Sequence, residues 1–246
     1  MKPKVLLFDI ETAPVTAYVW GLYDQNVSID QIVDHGRVLC VSWKWLGDKS
    51  TSYVRVDGNE KSALKQIHSA LDEADYVVHY NGTKFDIPTL HREFLLHGFA
   101  PPSPVKEIDL LRTVRRKFRF SSNKLDYVCQ RLGLGNKVQH KGMSLWRGCM
   151  ENKKADWKVM KEYNIHDVVL LEKLYKKLLP WVVSHPNVTL HADSSDACPR
   201  CGGLHYVSRG LQHNATRSYQ RYQCKGCSGW FRGTNAVKKT ITHTAC

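Results

Sequence analysis

The segment Val5-Leu6-Leu7-Phe8-Asp9-Ile10-Glu11-Thr12 decides the fold of this chain. Its four consecutive apolar residues predict a strand that is buried on both faces. Two acids then follow at an interval of two, so the side chains of Asp9 and Glu11 point to the same face of an extended strand. Neighbouring buried carboxylates repel each other unless a cation lies between them. The segment therefore predicts a divalent metal site with oxygen ligands; the alternative is a strand that simply ends in solvent.

The composition favours a globular protein with a polyanionic partner. The chain has 246 residues, of which 42% are hydrophobic, and 36 Lys and Arg against 23 Asp and Glu give a net charge of +13. Such a surplus points first to nucleic acid, with a basic protein that binds no anion as the alternative. No apolar run is long enough to cross a bilayer, so no membrane partner is expected. Eight cysteines without an export signal predict a reducing, cytoplasmic location.

The pattern of the first hundred residues predicts a mixed sheet. Residues 37–45 and 50–56 are typical of strands and, with the acidic strand, of an antiparallel meander. Apolar residues recur on one face of a helix over 60–74, and residues 76–80 form a short buried strand. A strand, a crossing helix and a second strand predict a parallel pairing with a right-handed crossover.

Asp86 lies where this strand gives way to a helix that would run towards Gly98. Pro88, two residues later, is typical of the first turn of a helix. Asp is also a favoured helix cap, so the position alone leaves capping and catalysis as alternatives.

Asp167 is a second acid in an unexpected place. Residues 156–179 predict a long helix with Asp156 as its cap. Its inward residues recur at spacings of three and four: Tyr163, Asp167, Leu170 or Leu171, Leu174 and Leu178. Asp167 therefore lies on the apolar face of the helix, one turn after Tyr163. A metal shared with the acids of the first strand would satisfy it.

The C-terminal part is predicted to be a separate module that starts near residue 190 and follows a domain of residues 1–185. Two Cys-x-x-Cys pairs are typical of a structural zinc site with four thiolates, and a redox dithiol is the alternative: Cys198, Cys201, Cys224 and Cys227. From residue 186 onward, eight basic residues face two acids and are mixed with aromatic residues. This composition suits nucleic-acid binding, and equally a small fold with its own aromatic core.

Four acids thus require one explanation: Asp9, Glu11, Asp86 and Asp167. If they converge, they could hold two divalent cations, which clamp the attacking and leaving oxygens of a phosphodiester displacement. Reasoning from the residues predicts metal-dependent phosphodiester hydrolysis but not its polarity.

Three motifs at these residues resemble those of the DEDD-type 3′–5′ exonucleases, the proofreading group of the RNase H-like fold. They are Phe8-Asp-Ile-Glu-Thr12, Asn81-Gly-Thr-Lys-Phe-Asp86 and Tyr163-Asn-Ile-His-Asp167. The last motif is similar to that of the tyrosine subclass, DEDDy; at the position of the histidine subclass's base this chain has Glu162. The resemblance covers residues 1 to about 180. The loop around Tyr18 and the zinc-ribbon tail are similar to small, stand-alone, phage-type members, which would place the protein in a host cell.

The resemblance implies an α/β fold, an RNase H-like mixed sheet flanked by helices with a small C-terminal zinc ribbon. It implies that Asp9, Glu11 and Asp167 hold the cation that activates water, that Asp9 and Asp86 hold the second, and that Tyr163 orients the water. Mg²⁺ or Mn²⁺ suits these oxygen ligands, with one structural Zn²⁺ in the ribbon. The implied activity is a 3′–5′ exonuclease that releases nucleoside 5′-monophosphates, with DNA favoured over RNA, single strands or 3′ ends as substrate, and a replication or repair protein as partner.

Two other functions remain alternatives at this point. A structure-selective endonuclease or RNase H-type enzyme could use the same fold, although those families lack the Tyr-x-x-x-Asp element. A non-catalytic nucleic-acid-binding adaptor is the other alternative, and the four intact carboxylates argue against it.

Overall fold

A computed structural model describes residues 3–191 and 196–240 of the chain. Residues 1–2, 192–195 and 241–246, which belong to the predicted domains 1–185 and 190–246, lie outside the described residues. The division into these two domains stays a prediction. No helix in the described ranges is both long enough and apolar enough to cross a membrane.

The centre of the fold is a five-stranded mixed sheet in the order β5-β4-β1-β6-β7. The strands up to residue 109 are β1 (Val5–Thr12), β2 (Thr16–Ala17), β3 (Ile32–Asp34), β4 (Val38–Trp45), β5 (Ser52–Arg55), β6 (Tyr76–His79) and β7 (Lys106–Asp109). Strand β1 pairs antiparallel with β4 and parallel with β6, and β4 pairs antiparallel with β5. The predicted meander and the predicted parallel crossover are both confirmed, and the fold is the expected RNase H-like α/β architecture.

Helices cover both faces of this sheet. They are α1 (Glu60–Glu73), α2 (Asp86–Leu96), α3 (Leu110–Lys117), α4 (Leu125–Arg131), α5 (Met143–Met150) and α6 (Lys154–Leu178). Alternation along β1 sends Leu6 and Phe8 into a core shared with α1 and α2, whereas Leu7 packs into a core with α6. Asp9 and Glu11 have the same parity as Leu7 and so share the face that α6 covers. Strand β1, which contributes to both cores, therefore presents Asp9 and Glu11 on the face that packs against α6.

Several element boundaries differ from those that the sequence predicts. Helix α6 begins at Lys154, so Asp156 lies in its first turn and is not the cap. The Asp156 side chain packs against Gly148 of α5, a helix that the sequence pattern did not indicate. Helix α3, which carries three arginines, directly follows β7, and the Asp109 side chain caps it by accepting a hydrogen bond from the Leu111 N–H. Tertiary packing sets these helix boundaries, and the local periodicity of apolar residues does not reveal them.

A small hairpin of β2 and β3 follows β1 and holds an exposed aromatic loop. Tyr18 and Trp20 are 77% and 97% exposed. Gly36 closes the base of the hairpin with a φ of +72°. A side chain would not fit there, because a Cβ atom on residue 36 would lie 2.8 Å from the Ala13 carbonyl oxygen. The loop therefore stands on a rigid base directly after the acidic strand.

The C-terminal part is a three-stranded antiparallel sheet in the order β10-β9-β8; Cys224 ends β9, and the other three cysteines lie in the segments before β8 and after β9. Its strands are β8 (Tyr206–His213), β9 (Arg217–Cys224) and β10 (Trp230–Lys239). Arg200, between the first two cysteines, donates hydrogen bonds to the carbonyl oxygens of Leu179 and Val182 at 3.2 and 2.7 Å. The loop between these cysteines is thus attached to the chain that follows α6.

Candidate metal centres

Three of the four predicted acids meet between β1 and α6. Asp9, Glu11 and Asp167 each place a carboxylate oxygen within 4.8 Å of one from each of the others. Asp167 is 2% exposed, and its Oδ1 atom has no hydrogen-bond partner among the described residues. A buried carboxylate oxygen without a donor is costly, and a cation is the natural way to satisfy it.

Asp86 lies at the start of α2 but does not cap it. The structure shows no capping hydrogen bond from its side chain; instead its Oδ1 accepts a hydrogen bond from the Ile10 N–H at 3.3 Å. This contact places Asp86 beside β1 between the two acids of that strand, although Asp86 is outside the group of three whose oxygens lie within 4.8 Å. Of the two alternatives left by the sequence, capping is therefore wrong.

The turn before Asp86 is held by a chain of polar contacts. The Gly82 N–H donates to Nδ1 of the buried His79 at 3.0 Å, and Nε2 of His79 lies 3.2 Å from the Glu107 carboxylate. The Asn81 N–H donates to Asp109 at 3.0 Å. Gly82 packs so closely that a Cβ there would lie 2.4 Å from His79 Cγ, so only glycine fits. The position of Asp86 rests on this packing.

Lys137 enters the acidic site from the loop between α4 and α5. Its ammonium group contacts Asp167 Oδ2 and donates a hydrogen bond of 3.0 Å to the Tyr163 hydroxyl. It also lies 4.9 Å from the centre of the Tyr163 ring. One lysine thus joins the predicted tyrosine to the predicted metal ligand, and it supplies one positive charge among four carboxylates.

Asn164 holds the first acid of the cluster in place. Its side-chain N–H group donates to Asp9 Oδ2 at 2.8 Å, and the residue is completely buried. Cys40 on β4 lies next to the Asn164 amide oxygen at 3.8 Å. The amide leaves the other oxygen of Asp9 available for a cation.

The carboxylates strongly disfavour carrying all their charges together. Desolvation, followed by the charges of Glu11, Asp86 and Asp167, raises the pKa of Asp9 well above its usual value. Desolvation and then Asp167 raise the pKa of Glu11 to about 8, and desolvation raises that of Asp86 to about 6. The pKa of Asp167 is raised by burial and is pulled back by Lys137. A divalent cation would relieve this repulsion.

The residues fit hard divalent cations. The donors are all carboxylate oxygens, one of them is buried without a partner, and the mutual repulsion requires positive charge. Mg²⁺ and Mn²⁺ prefer such ligands.

The four cysteines form the second predicted centre. Sγ of Cys201 lies 3.6 Å from that of Cys224, and Sγ of Cys198 lies 3.7 Å from that of Cys227. A tetrahedron with Zn–S bonds of ~2.3 Å has S···S edges of ~3.8 Å, so these distances suit zinc. Backbone N–H groups of Gly203 and Gly229 point at two of the sulfurs, each at 3.4 Å. Four thiolates leave no open position, and such a site is structural.

Two site residues were not identified by the sequence reasoning. Asn164 lies three residues before Asp167 on the buried face of α6, so a polar residue at that spacing was an available signal. Lys137 lies in a loop without periodicity, and nothing in the sequence pattern pointed to it. His166, which the sequence reasoning left out, bonds the Asn136 carbonyl outside the acidic cluster.

Comparisons with known proteins agree with this architecture. A family model described as the RNase H superfamily matches residues 6–179. No curated protein sequence matches the chain. Among solved structures, the family B DNA polymerase from the hyperthermophilic archaeon Pyrobaculum calidifontis is similar with a TM-score of 0.56 at 20% identity. The match covers 72% of this chain but only 25% of the polymerase, and at this identity it shows the fold alone.

Proposed function

This chain belongs to the RNase H superfamily, and on that premise we propose that it is a metal-dependent 3′–5′ exonuclease of the tyrosine subclass that hydrolyses phosphodiester bonds. The observation that carries the proposal is the cluster of Asp9, Glu11 and Asp167, with the Tyr163 hydroxyl joined to it through Lys137. The endonucleases and RNase H-type enzymes considered as alternatives lack this tyrosine.

The residues have distinct roles in this mechanism. Two cations, held by Asp9, Glu11 and Asp167 and by Asp9 with Asp86, would activate the attacking water and stabilise the leaving oxygen. Burial raises the pKa of Tyr163, so its hydroxyl stays protonated and orients the water without removing its proton. Lys137 fixes that hydroxyl and adds positive charge where the phosphoryl group gains negative charge.

We propose that DNA is the preferred substrate and that the enzyme degrades it from single-stranded 3′ ends. The net charge of +13 supports a polyanionic substrate, and the similar solved structure is that of a DNA polymerase. The C-terminal ribbon would add to substrate binding, and a replication or repair protein would be the partner. We also propose that it is a phage-type enzyme that acts in the cytoplasm of the host cell.

A time course with 5′-labelled single-stranded DNA and RNA of equal sequence tests the proposal. With Mg²⁺ or Mn²⁺ we expect a ladder that shortens from the 3′ end, faster for DNA, and no cleavage without added metal. The Asp9→Asn variant should bind the strand without cleaving it. A discrete internal cut would instead show an endonuclease, and binding without cleavage under either metal would show an adaptor; either result overturns the exonuclease.

A further inference from the structure

One face of the ribbon sheet carries two arginines that lie opposite each other. Arg221 on β9 and Arg232 on β10 are direct cross-strand partners. By the alternation of strands, Tyr219 and Trp230 lie on the same face, whereas Tyr222 and Phe231 lie on the other. We call Tyr219, Arg221, Trp230 and Arg232 the arginine face.

Each arginine of this face is stacked on an aromatic ring. The Arg232 guanidinium lies 3.7 Å from the centre of the Tyr219 ring, and that of Arg221 lies 4.8 Å from the Trp230 ring. Arg221 also donates two hydrogen bonds to the Arg209 carbonyl oxygen, at 3.0 and 2.9 Å. The guanidinium groups are therefore held in fixed positions on the sheet.

The stacked pair is electrostatically unsatisfied within the described chain. Like charges directly opposite each other on neighbouring strands destabilise a sheet. Neither Arg221 nor Arg232 forms an ion pair with any acidic side chain of the described ranges, and residues 197–240 contain no Asp or Glu. Arg217 lies two residues before Tyr219 on β9 and adds a third positive charge to this face, and Arg232 and Arg217 together lower the pKa of Tyr219. An anion between the arginines would remove the repulsion.

The aromatic ring at the edge of this face is open to solvent. Trp230 is 46% exposed, whereas Tyr219 beneath Arg232 is 8% exposed. The exposed indole can stack on a base, and the guanidinium groups beside it can pair with phosphates. A flexible single strand offers both a base and phosphates. Within a duplex the bases are stacked on one another and are not free to stack on the indole, so a single strand fits this face better.

We propose that the arginine face binds a single-stranded polynucleotide, with phosphates at Arg221 and Arg232 and a base stacked on Trp230. This inference rests on the proposed function in that the strand bound here is the one whose 3′ end is cleaved. The ribbon sheet then acts as a substrate-holding surface separate from the acidic site.

Binding can be measured without any catalytic step. Fluorescence anisotropy would follow labelled oligothymidylate and oligouridylate on the zinc-loaded Asp9→Asn protein, without chelator or added divalent cation, at about 50 and about 200 mM salt. We expect Arg221→Gln with Arg232→Gln to weaken binding at least ~10-fold at the lower salt and to reduce the slope of log K against log salt by ~1.4, or ~0.7 for each lost phosphate contact. Trp230→Leu should weaken binding ~10-fold and leave the slope unchanged.

Two further variants separate this face from charge in general. Lys238→Gln with Lys239→Gln removes the same number of positive charges from the C-terminal end of β10, outside the arginine face, and should change affinity less than ~2-fold. Arg221→Lys with Arg232→Lys keeps the charge and should restore most of the salt slope. Zinc content, measured on every variant, shows that the ribbon remains folded.

The possible results separate the two proposals. An equal loss in the lysine and arginine double variants, or full affinity after Arg221→Gln with Arg232→Gln, overturns the arginine face whatever the catalytic assay shows. A wild-type protein that binds as expected yet never shortens a 3′ end overturns the exonuclease and leaves the arginine face supported.

Discussion

Glu11→Gln should make the metal-free protein more stable at alkaline pH. The pKa of Glu11 is raised from 4.5 to about 8 in the folded protein, by desolvation and by Asp167. The folded state therefore keeps a proton that the unfolded chain loses above its lower pKa. Stability from this group is complete at acid pH and is lost as the pH rises from the unfolded value through about 8.

The size of the effect follows from the shift of pKa. The full difference corresponds to ~5 kcal/mol once Glu11 is ionised, at 1.36 kcal/mol for each pKa unit. The side chain is only partly buried and shares its proton with Asp9 and Asp167, so we expect less than half of this, or ~2 kcal/mol. For a chain of this length ~2 kcal/mol raises the Tm by roughly 4–8 °C.

Thermal unfolding followed by circular dichroism at about pH 5 and about pH 8.5, with and without Mn²⁺, would measure this. Wild type should lose stability at the higher pH and recover it with Mn²⁺, since a cation bound only to the folded state stabilises it. Glu11→Gln should lose less stability than wild type at the higher pH and gain less from Mn²⁺, because Asp9, Asp86 and Asp167 remain with raised pKa values. Glu162→Gln, an exposed carboxylate of the same neighbourhood on α6, is the control and should behave as wild type. A folded Glu11→Gln protein that melts at or below the wild-type Tm at the higher pH would refute the reasoning.

Four further predictions concern the other parts of the site. Tyr163→Phe should lower kcat ~10- to 100-fold while Mn²⁺ still stabilises the protein, because the hydroxyl orients water and holds no cation; unchanged steady-state kinetics would contradict this. Lys137→Met should lower kcat for cleavage by a similar factor and leave the exposed arginine face binding oligonucleotide normally, as anisotropy would show. Gly82→Ala should destabilise the fold by ~1–3 kcal/mol, since its Cβ would lie 2.4 Å from His79 Cγ, and denaturant unfolding would measure it; a neutral change would show that the turn can relax. Cys201→Ser should release zinc, which a colorimetric chelator would detect, and it should weaken oligonucleotide binding by a larger factor than it lowers kcat. Retained zinc would argue against the four-thiolate site.

The acidic site shows where sequence reasoning succeeds and where it stops. The alternation of β1 correctly put Asp9 and Glu11 on one face, and the helical spacing of α6 correctly turned Asp167 inward. For Asp86, sequence position left capping and catalysis open. The structure excludes the cap, and a hydrogen bond from the Ile10 N–H, across 76 residues of chain, places Asp86 beside β1; its catalytic role stays a prediction.

The sequence by itself determined the mixed α/β sheet, the acids of β1 and α6, and the two Cys-x-x-Cys pairs, because periodicity and short spacing report which residues share one element. Tertiary structure alone decided that Lys137 bridges Tyr163 and Asp167. It alone placed Arg221 opposite Arg232 on the ribbon sheet. These contacts join residues 11 to 30 positions apart, and strand register and loop packing, which no local pattern encodes, bring them together.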